Sequence, residues 1–424
     1  MSDVPNPSTD PVLARGLSMP RVSRRGFLAG AGALGAAAAL SACGVKSQAK
    51  KTNTATAAVD AYWAKQKKTP GFVFANWPLY IDVSSSNKSD HPSLDLFTKQ
   101  TGIKVTYKEV IQDDPTFFGQ VQPVLAAGQP TGYDLMVITD GIYYNKFVEL
   151  GYVQPLDHKL VPNFFKNAAP VYQHRSYDPN NLYGLPWQSG FTGIGVNTKY
   201  VKRKITSMQD LLDPAFKGKI GMFRDNQDLP NAALLAVGVI PAKSTPTDWK
   251  KAAAWLMKQK NAGLVRKYYQ QSYIDALSKG DIWISQAWSG DIFQANVSNG
   301  NNELEFVIPT EGVVLWTDNM MIPKGAQNAL DAITWMNFYY QPDVAAMVAN
   351  YVNYITPVPA AQQVILSEAA ATTNAADKQS YLQVAQSPLV FPTAADYAKA
   401  HSYRVLTQSE LTEWNSIFEP VYQG

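Results

Sequence analysis

The sequence predicts an α/β protein with largely parallel β-structure, and three observations carry that reading. From Gly71 onward, short apolar runs of strand length alternate with longer segments of helical period, and turn residues separate them. The chain has 424 residues, enough for two or three domains with sizeable cores. Apolar residues make up 46% and charged residues only 17%, a globular balance.

The elements follow in order. Phe72-Val73-Phe74 opens a strand; Leu94 to Gly102 reads as a helix closed by glycine; Ile103 to Val110 alternates as a second strand. Leu135 to Ile138 is a short buried strand, followed by an amphipathic helix from Tyr143 to Leu150 that stops at Gly151. Further strands are expected at Ile194–Val196, Lys219–Phe223, Val265–Tyr269, Ile282–Gln286, Phe306–Ile308 and Val313–Ile322. Helices fit Asp248–Gln259, Ala326–Tyr340 and Asp343–Tyr351. Strands separated by helices build sheets with helices packed on them.

The first 42 residues read as an address. Arg24 and Arg25 stand in Ser-Arg-Arg-Gly-Phe-Leu ahead of an Ala/Gly/Leu run from Phe27 to Leu40, the layout of a twin-arginine export signal. The run ends in Leu40-Ser41-Ala42-Cys43, which resembles a bacterial lipobox, with the Cys43 thiol as the lipid attachment point. A lipidated Cys43 holds a protein at a membrane without a spanning helix, and places it on the extracytoplasmic face of the cell membrane. Residues 43–70, small, polar and Lys-rich, are expected to form a flexible tether with a turn or two of helix around Tyr62.

Composition excludes several classes. Cys43 is the only cysteine, so no intrachain disulfide forms, and His91, His158, His174 and His401 lack metal-ligand spacing. No metal or cofactor is expected. A formal charge of +3 spread evenly along the chain gives no basis for nucleic-acid binding.

In α/β sheets, ligands bind beyond the carboxyl ends of strands. Residues at such places are Trp77 and Tyr80, Thr139 and Asp140, Asp225 and Asp228, then Trp288 and Asp291. Trp316 and Asp318 lie inside a strand, and Tyr354 follows a helix. Aromatics and carboxylates without Lys or Arg suit a desolvated cationic amine. Aromatic faces attract ammonium groups by about 0.5–2 kcal/mol each, and carboxylates add charge-assisted hydrogen bonds. Each feature also has a plainer reading. Asp228, two residues before Pro230, suits the start of a helix; Asp225 and Asp291 suit solvated loops; Trp288 and Trp316 suit a core. Asp318, inside an apolar strand, demands a partner.

The same residues carry a resemblance. Phe74-Ala-Asn-Trp-Pro-Leu-Tyr80, Gly132-Tyr-Asp-Leu-Met-Val137, Ala287-Trp-Ser-Gly-Asp291, Trp316-Thr-Asp318 and Tyr354-Ile-Thr-Pro357 together resemble the spermidine/putrescine-binding proteins of bacterial ABC importers. The resemblance covers about residues 71–365. It implies a two-lobe periplasmic-binding-protein-like fold (type II), each lobe a mixed, mainly parallel sheet flanked by helices, with the ligand in the cleft between them. It places lobe 1 at 71–191 plus 317–362 and lobe 2 at 192–316 plus 363–424, with crossings near Phe191, Trp316 and position 362. It implies a polyamine as ligand, permease subunits of an ABC transporter as partners, and binding without catalysis. Trp77, Tyr80, Trp288, Trp316 and Tyr354 then box the ligand, Asp225, Asp228, Asp291 and Asp318 face its amines, and Thr139 stands where the family usually has Ser. Two departures matter. Pro78-Leu79 occupies a place where the family commonly carries a hydroxyl residue followed by an acid, so one anion is missing and Asp140 or Asp82 is the expected substitute. Near the C-terminus Tyr403 or Arg404 falls where the family has an amide, and an inward Arg would oppose a polycation. Alternative readings are the same fold binding another organic amine, an amino acid or a sugar, or an extracytoplasmic carbohydrate-active enzyme using two of the carboxylates.

Overall fold

The computed structural model describes residues 57–84 and 86–423. The expected export signal with Arg24 and Arg25, and the expected lipidation site at Cys43, lie outside them. Of the expected tether, residues 57–63 are helical and docked: Trp63 is buried in the first core and its indole N–H donates to the Pro155 carbonyl at 2.9 Å.

The first part of the chain runs β1 (Gly71–Asn76), α1 (Pro92–Thr101), β2 (Lys104–Glu109), α2 (Asp114–Ala126), β3 (Leu135–Thr139) and α3 (Ile142–Glu149). β4 (Gly184–Asn197) follows, then β5 (Ile220–Phe223), α4 (Asp228–Ala236), α5 (Pro246–Asn261) and β6 (Val265–Tyr269). Next come α6 (Tyr273–Lys279), β7 (Ile284–Trp288), α7 (Ser289–Asn299), β8 (Leu304–Val307) and β9 (Val313–Met321). The chain closes with α8 (Ala329–Tyr339), α9 (Pro342–Val352), α10 (Ala361–Ala371), α11 (Ala375–Ala385), β10 (Ala400–His401) and α12 (Gln408–Tyr422). Among the described residues no helix is long and apolar enough to cross a membrane.

The strands form one ten-stranded sheet in the order β2-β1-β3-β9-β4-β7-β5-β6, with β8 on β4 and β10 on β9. The outer pairs β1–β2, β1–β3, β5–β6 and β5–β7 are parallel, as expected. The central contacts β3–β9, β9–β4 and β4–β7 are antiparallel. β4 and β9 carry the sheet across the molecule: Gly184–Pro186 lies opposite the end of β9 that also pairs with β3, whereas Thr192–Val196 pairs with β7. Phe191 and Trp316 both lie in this bridging part of the sheet, in adjacent registers of β4 and β9.

Two main cores lie on either side of these crossings. One packs β1, α1, α8 and α9 around Phe74, Phe97, Trp187 and Trp335; the other packs α4, α5 and α12 around Met222, Trp249, Leu256 and Trp414. The third passage differs from expectation. Ile365, Val384, Ala385 and Val390 belong to the first core, so α10 and α11 stay with it and the chain changes sides only afterwards. β10 then pairs with β9, and Trp414 of α12 stacks edge-on against Trp249 of α5 at 5.2 Å.

Candidate functional site

Where β4 and β9 cross, carboxylates and aromatic rings from both halves converge. Asp318 sits in β9 with Thr139 of β3 directly opposite it in register. The Thr139 hydroxyl donates to its Oδ1 and the Tyr80 hydroxyl to its Oδ2, both at 2.6 Å. Only 6% of Asp318 is exposed, and burial pushes its carboxyl up to about 6 against the pull of those two donors, with the Asp228 charge adding to the rise. Tyr80 is delivered by the turn after β1; Leu79 before it adopts a left-handed φ of 56° and is exposed, its N–H donating to Glu109 Oε1 at 2.8 Å.

From the other half, Asp228 opens α4. Its Oδ1 accepts from Thr192 (2.7 Å) and Tyr403 (2.5 Å), and its Oδ2 from the Trp288 indole N–H (2.8 Å). Burial raises its pKa despite these donors. The capping role considered for Asp228 belongs to Asp225, whose Oδ1 accepts from the N–H groups of Gln227 (2.7 Å) and Asp228 (2.5 Å). Burial, then the Asp228 charge, raises Asp225 in turn. Asp291, in the first turn of α7, accepts from Tyr273 at 2.8 Å and from the Tyr354 hydroxyl. Burial raises its carboxyl too.

The rings close the cluster. Tyr354 stands 5.5 Å from Trp316 and 5.8 Å, edge-on, from Tyr80; Trp288 packs on Phe223 at 4.6 Å. Two glycines permit this. A Cβ on Gly190 of β4 would collide with the Trp316 ring, and one on Gly290 with the Tyr354 ring. The Trp316 indole nitrogen is buried without a hydrogen-bond partner. Gln227 ties the two halves together beside the cluster, accepting from Ile142 N–H and donating to the Asp140 carbonyl, each at 2.9 Å.

Several expectations change. Asp140, expected among the ligand residues, faces Arg175: its Oδ1 accepts from Thr317 N–H at 2.8 Å, and its Oδ2, buried without a hydrogen-bond partner, lies 3.8 Å from the Arg175 guanidinium. Burial pushes Asp140 up to about 7 even so, with Arg175 opposing the rise. Asp82 caps α1 through the Ser93 N–H (2.7 Å) and hydroxyl, while Asp140 already has a cation of the protein, Arg175, beside it. Trp77 is half-buried, with its indole N–H on the Val137 carbonyl at 3.1 Å, and packs into two cores. Arg404 turns to Glu410 (2.7 Å) and the Ala242 carbonyl (3.1 Å), while Tyr403 reaches Asp228. Thr192, Tyr273 and Asp114 were not singled out from sequence. Thr192 and Tyr273 bear only hydroxyls whose acceptors lie 36 and 18 residues away. Among the described residues no Lys or Arg forms an ion pair with Asp225, Asp228, Asp291 or Asp318.

An α/β sheet thus bridges two cores, with a buried polar cluster where its central strands pass from one to the other. Residues 93–378 match the model of the bacterial extracellular solute-binding protein family, and the chain belongs to that family. Among its relatives, the spermidine/putrescine-binding periplasmic protein of Escherichia coli K12 is 30% identical over 298 residues, 70% of this chain and 80% of the relative. The protein of the same name from Salmonella typhimurium LT2 is 28% identical over 351 residues, 82% of this chain and 90% of the relative. The crystal structure of the spermidine/putrescine ABC transporter substrate-binding protein PotD from Streptococcus pneumoniae shares the fold. Its TM-score is 0.69 at 22% identity, over 84% of this chain and 99% of that one.

Proposed function

We propose that this protein captures a polyamine, of the putrescine or spermidine kind, and delivers it to the permease of an ABC transporter. The observation that carries the reading is the convergence of Asp228, Asp291 and Asp318 among Tyr80, Trp288, Trp316 and Tyr354, with no Lys or Arg paired to any of the three acids among the described residues. Buried carboxylates without cationic partners are strongly disfavoured unless a cation completes them. Ammonium groups on a methylene chain provide that cation, and the chain gains about 0.8 kcal/mol for each CH₂ laid against the rings. The names of the E. coli and Salmonella relatives point to the same ligand class.

An amino acid would call for an Arg to take its carboxylate, and Arg404 is held by Glu410. The carboxylates act here as ligand partners and not as an acid–base pair, so binding proceeds without turnover. We also assign the chain to the outer face of the cell membrane, exported by the Arg24-Arg25 signal and anchored by lipid on Cys43. The lobes of the reading divide at β4 and β9, with α10 and α11 on the side of the first core.

Ligand that binds only the folded state raises stability by RT ln(1 + [L]/Kd), about 2.7 kcal/mol at a hundredfold excess over Kd. Thermal melts with millimolar putrescine or spermidine are expected to shift upward, and melts with glucose or glutamate to stay in place. A protein indifferent to both polyamines defeats the proposal.

A further inference from the structure

Asp114 stands at the start of α2, next to a residue that already performs the local structural task. The cap of α2 is Asp113, whose two carboxylate oxygens accept from the Thr116 N–H (2.7 Å) and hydroxyl (3.0 Å). The Asp114 carboxylate is not needed there. One helical turn further on, Phe117 is buried in a core shared with Met136 and Ile138 of β3, which brings the Asp114 face of the helix to the carboxyl end of that strand. Thr139 ends β3, and its hydroxyl bonds to Asp318.

Within this arrangement the Asp114 carboxyl feels Asp318 as a like charge, and Thr139 opposes the rise that this charge causes. Its Oδ1 is shut from solvent and has no hydrogen-bond partner. Burial, followed by the Asp318 charge, holds its pKa well above the usual carboxylate range. Asp114, on the helix face packed against β3, and Asp318, opposite Thr139 at the end of β3, both lack an ion pair with Lys or Arg among the described residues.

We propose that Asp114 is a ligand-binding residue, which with Asp318 takes one ammonium group of the polyamine and supplies the anion that Pro78-Leu79 lacks. The inference rests on the polyamine reading above. Asp82 and Asp140, the other acids in reach of that role by sequence, are held by Ser93 and by Thr317 with Arg175. A cation between Asp114 and Asp318 relieves the repulsion of both.

The test is calorimetric titration of wild type, Asp114→Asn and Asp113→Ala with spermidine and putrescine, alongside ligand-free melts. Asp114→Asn is expected to lower affinity at least tenfold while the ligand-free melting temperature holds or rises, since a repelled, unpartnered carboxyl has gone. Asp113→Ala is expected to do the reverse, weakening the α2 cap while affinity stays within threefold. Affinity of Asp114→Asn within threefold of wild type overturns the assignment and leaves the polyamine reading intact. A fall in affinity matched by a lower ligand-free melting temperature also overturns it, because the residue then serves the fold. Absence of polyamine binding by the wild type itself sinks both readings.

Discussion

Replacing Asp318 by Asn removes one charge from the centre of the cluster and almost nothing of its shape. An ammonium about 4 Å from a carboxylate, at an effective dielectric of about 20, gains about 4 kcal/mol. Truncating one member of such a pair at a buried site costs about 2–5 kcal/mol. At 1.4 kcal/mol per decade, polyamine affinity should drop at least about 30-fold. Ligand-free stability runs differently. In the wild type, holding a carboxyl whose pKa is raised to about 6 in its ionised form at neutral pH costs about 3 kcal/mol. Asn escapes that cost, but its amide NH₂ must face either the Tyr80 or the Thr139 hydroxyl, and an unsatisfied buried donor costs about 1–3 kcal/mol. The two nearly cancel, so the melting temperature should move by no more than a few degrees. Calorimetric titration of the folded variant decides the matter: affinity within threefold of wild type, or a large loss of stability with affinity kept, refutes the reasoning.

Acidity should act in opposite senses on the free and the liganded protein. Asp318 and Asp140 titrate near 6 and 7, and Asp114, Asp228 and Asp291 are raised, so between pH 4 and 7 the folded state holds more protons than the unfolded chain. The cluster therefore contributes a rise in ligand-free melting temperature as pH falls from 8 to 5. Polyamine affinity should weaken over the same range, since protonation removes the charges that amines seek, and parallel trends would contradict this. Cys43→Ser has no thiol to acylate and should appear in the soluble extracytoplasmic fraction; persistence on salt-washed membranes points to a different anchor.

Sequence pattern disclosed the strands rich in apolar residues, β3 and β9 among them. It caught only the last part of β4. Gly184 to Thr192 reads as a loop because Gln188, Ser189 and Thr192 are polar, yet each is buried and partnered: Gln188 with Tyr339, Ser189 with the Trp316 carbonyl, Thr192 with Asp228. Tertiary hydrogen bonds override the period there. Of the site, Asp318 was legible because a charge inside an apolar strand needs explanation, and Trp288 and Asp291 because they stand near a strand end. The cation that faces Asp140, Arg175, was not legible because it is remote in sequence. Asp114 was invisible because Asp113-Asp114-Pro115 reads as an ordinary helix start, and only the fold separates the acid that caps from the one that does not.

The β4–β9 ladder, continuous from Gln188 to Thr192, has a mechanical meaning. Sheets are naturally twisted, by about 20–25° between neighbouring strands, and can coil further without losing a ladder bond. A rotation of one core against the other can therefore be absorbed as torsion spread over Ser189–Phe191 and Trp316–Asp318, with small dihedral changes at each residue instead of a large change at a loop pivot. Such a joint behaves as a spring with a rest angle. Asp318 and Trp316 belong to the spring itself, so whatever occupies the site loads it directly, and a partner that forces the spring loads the occupant.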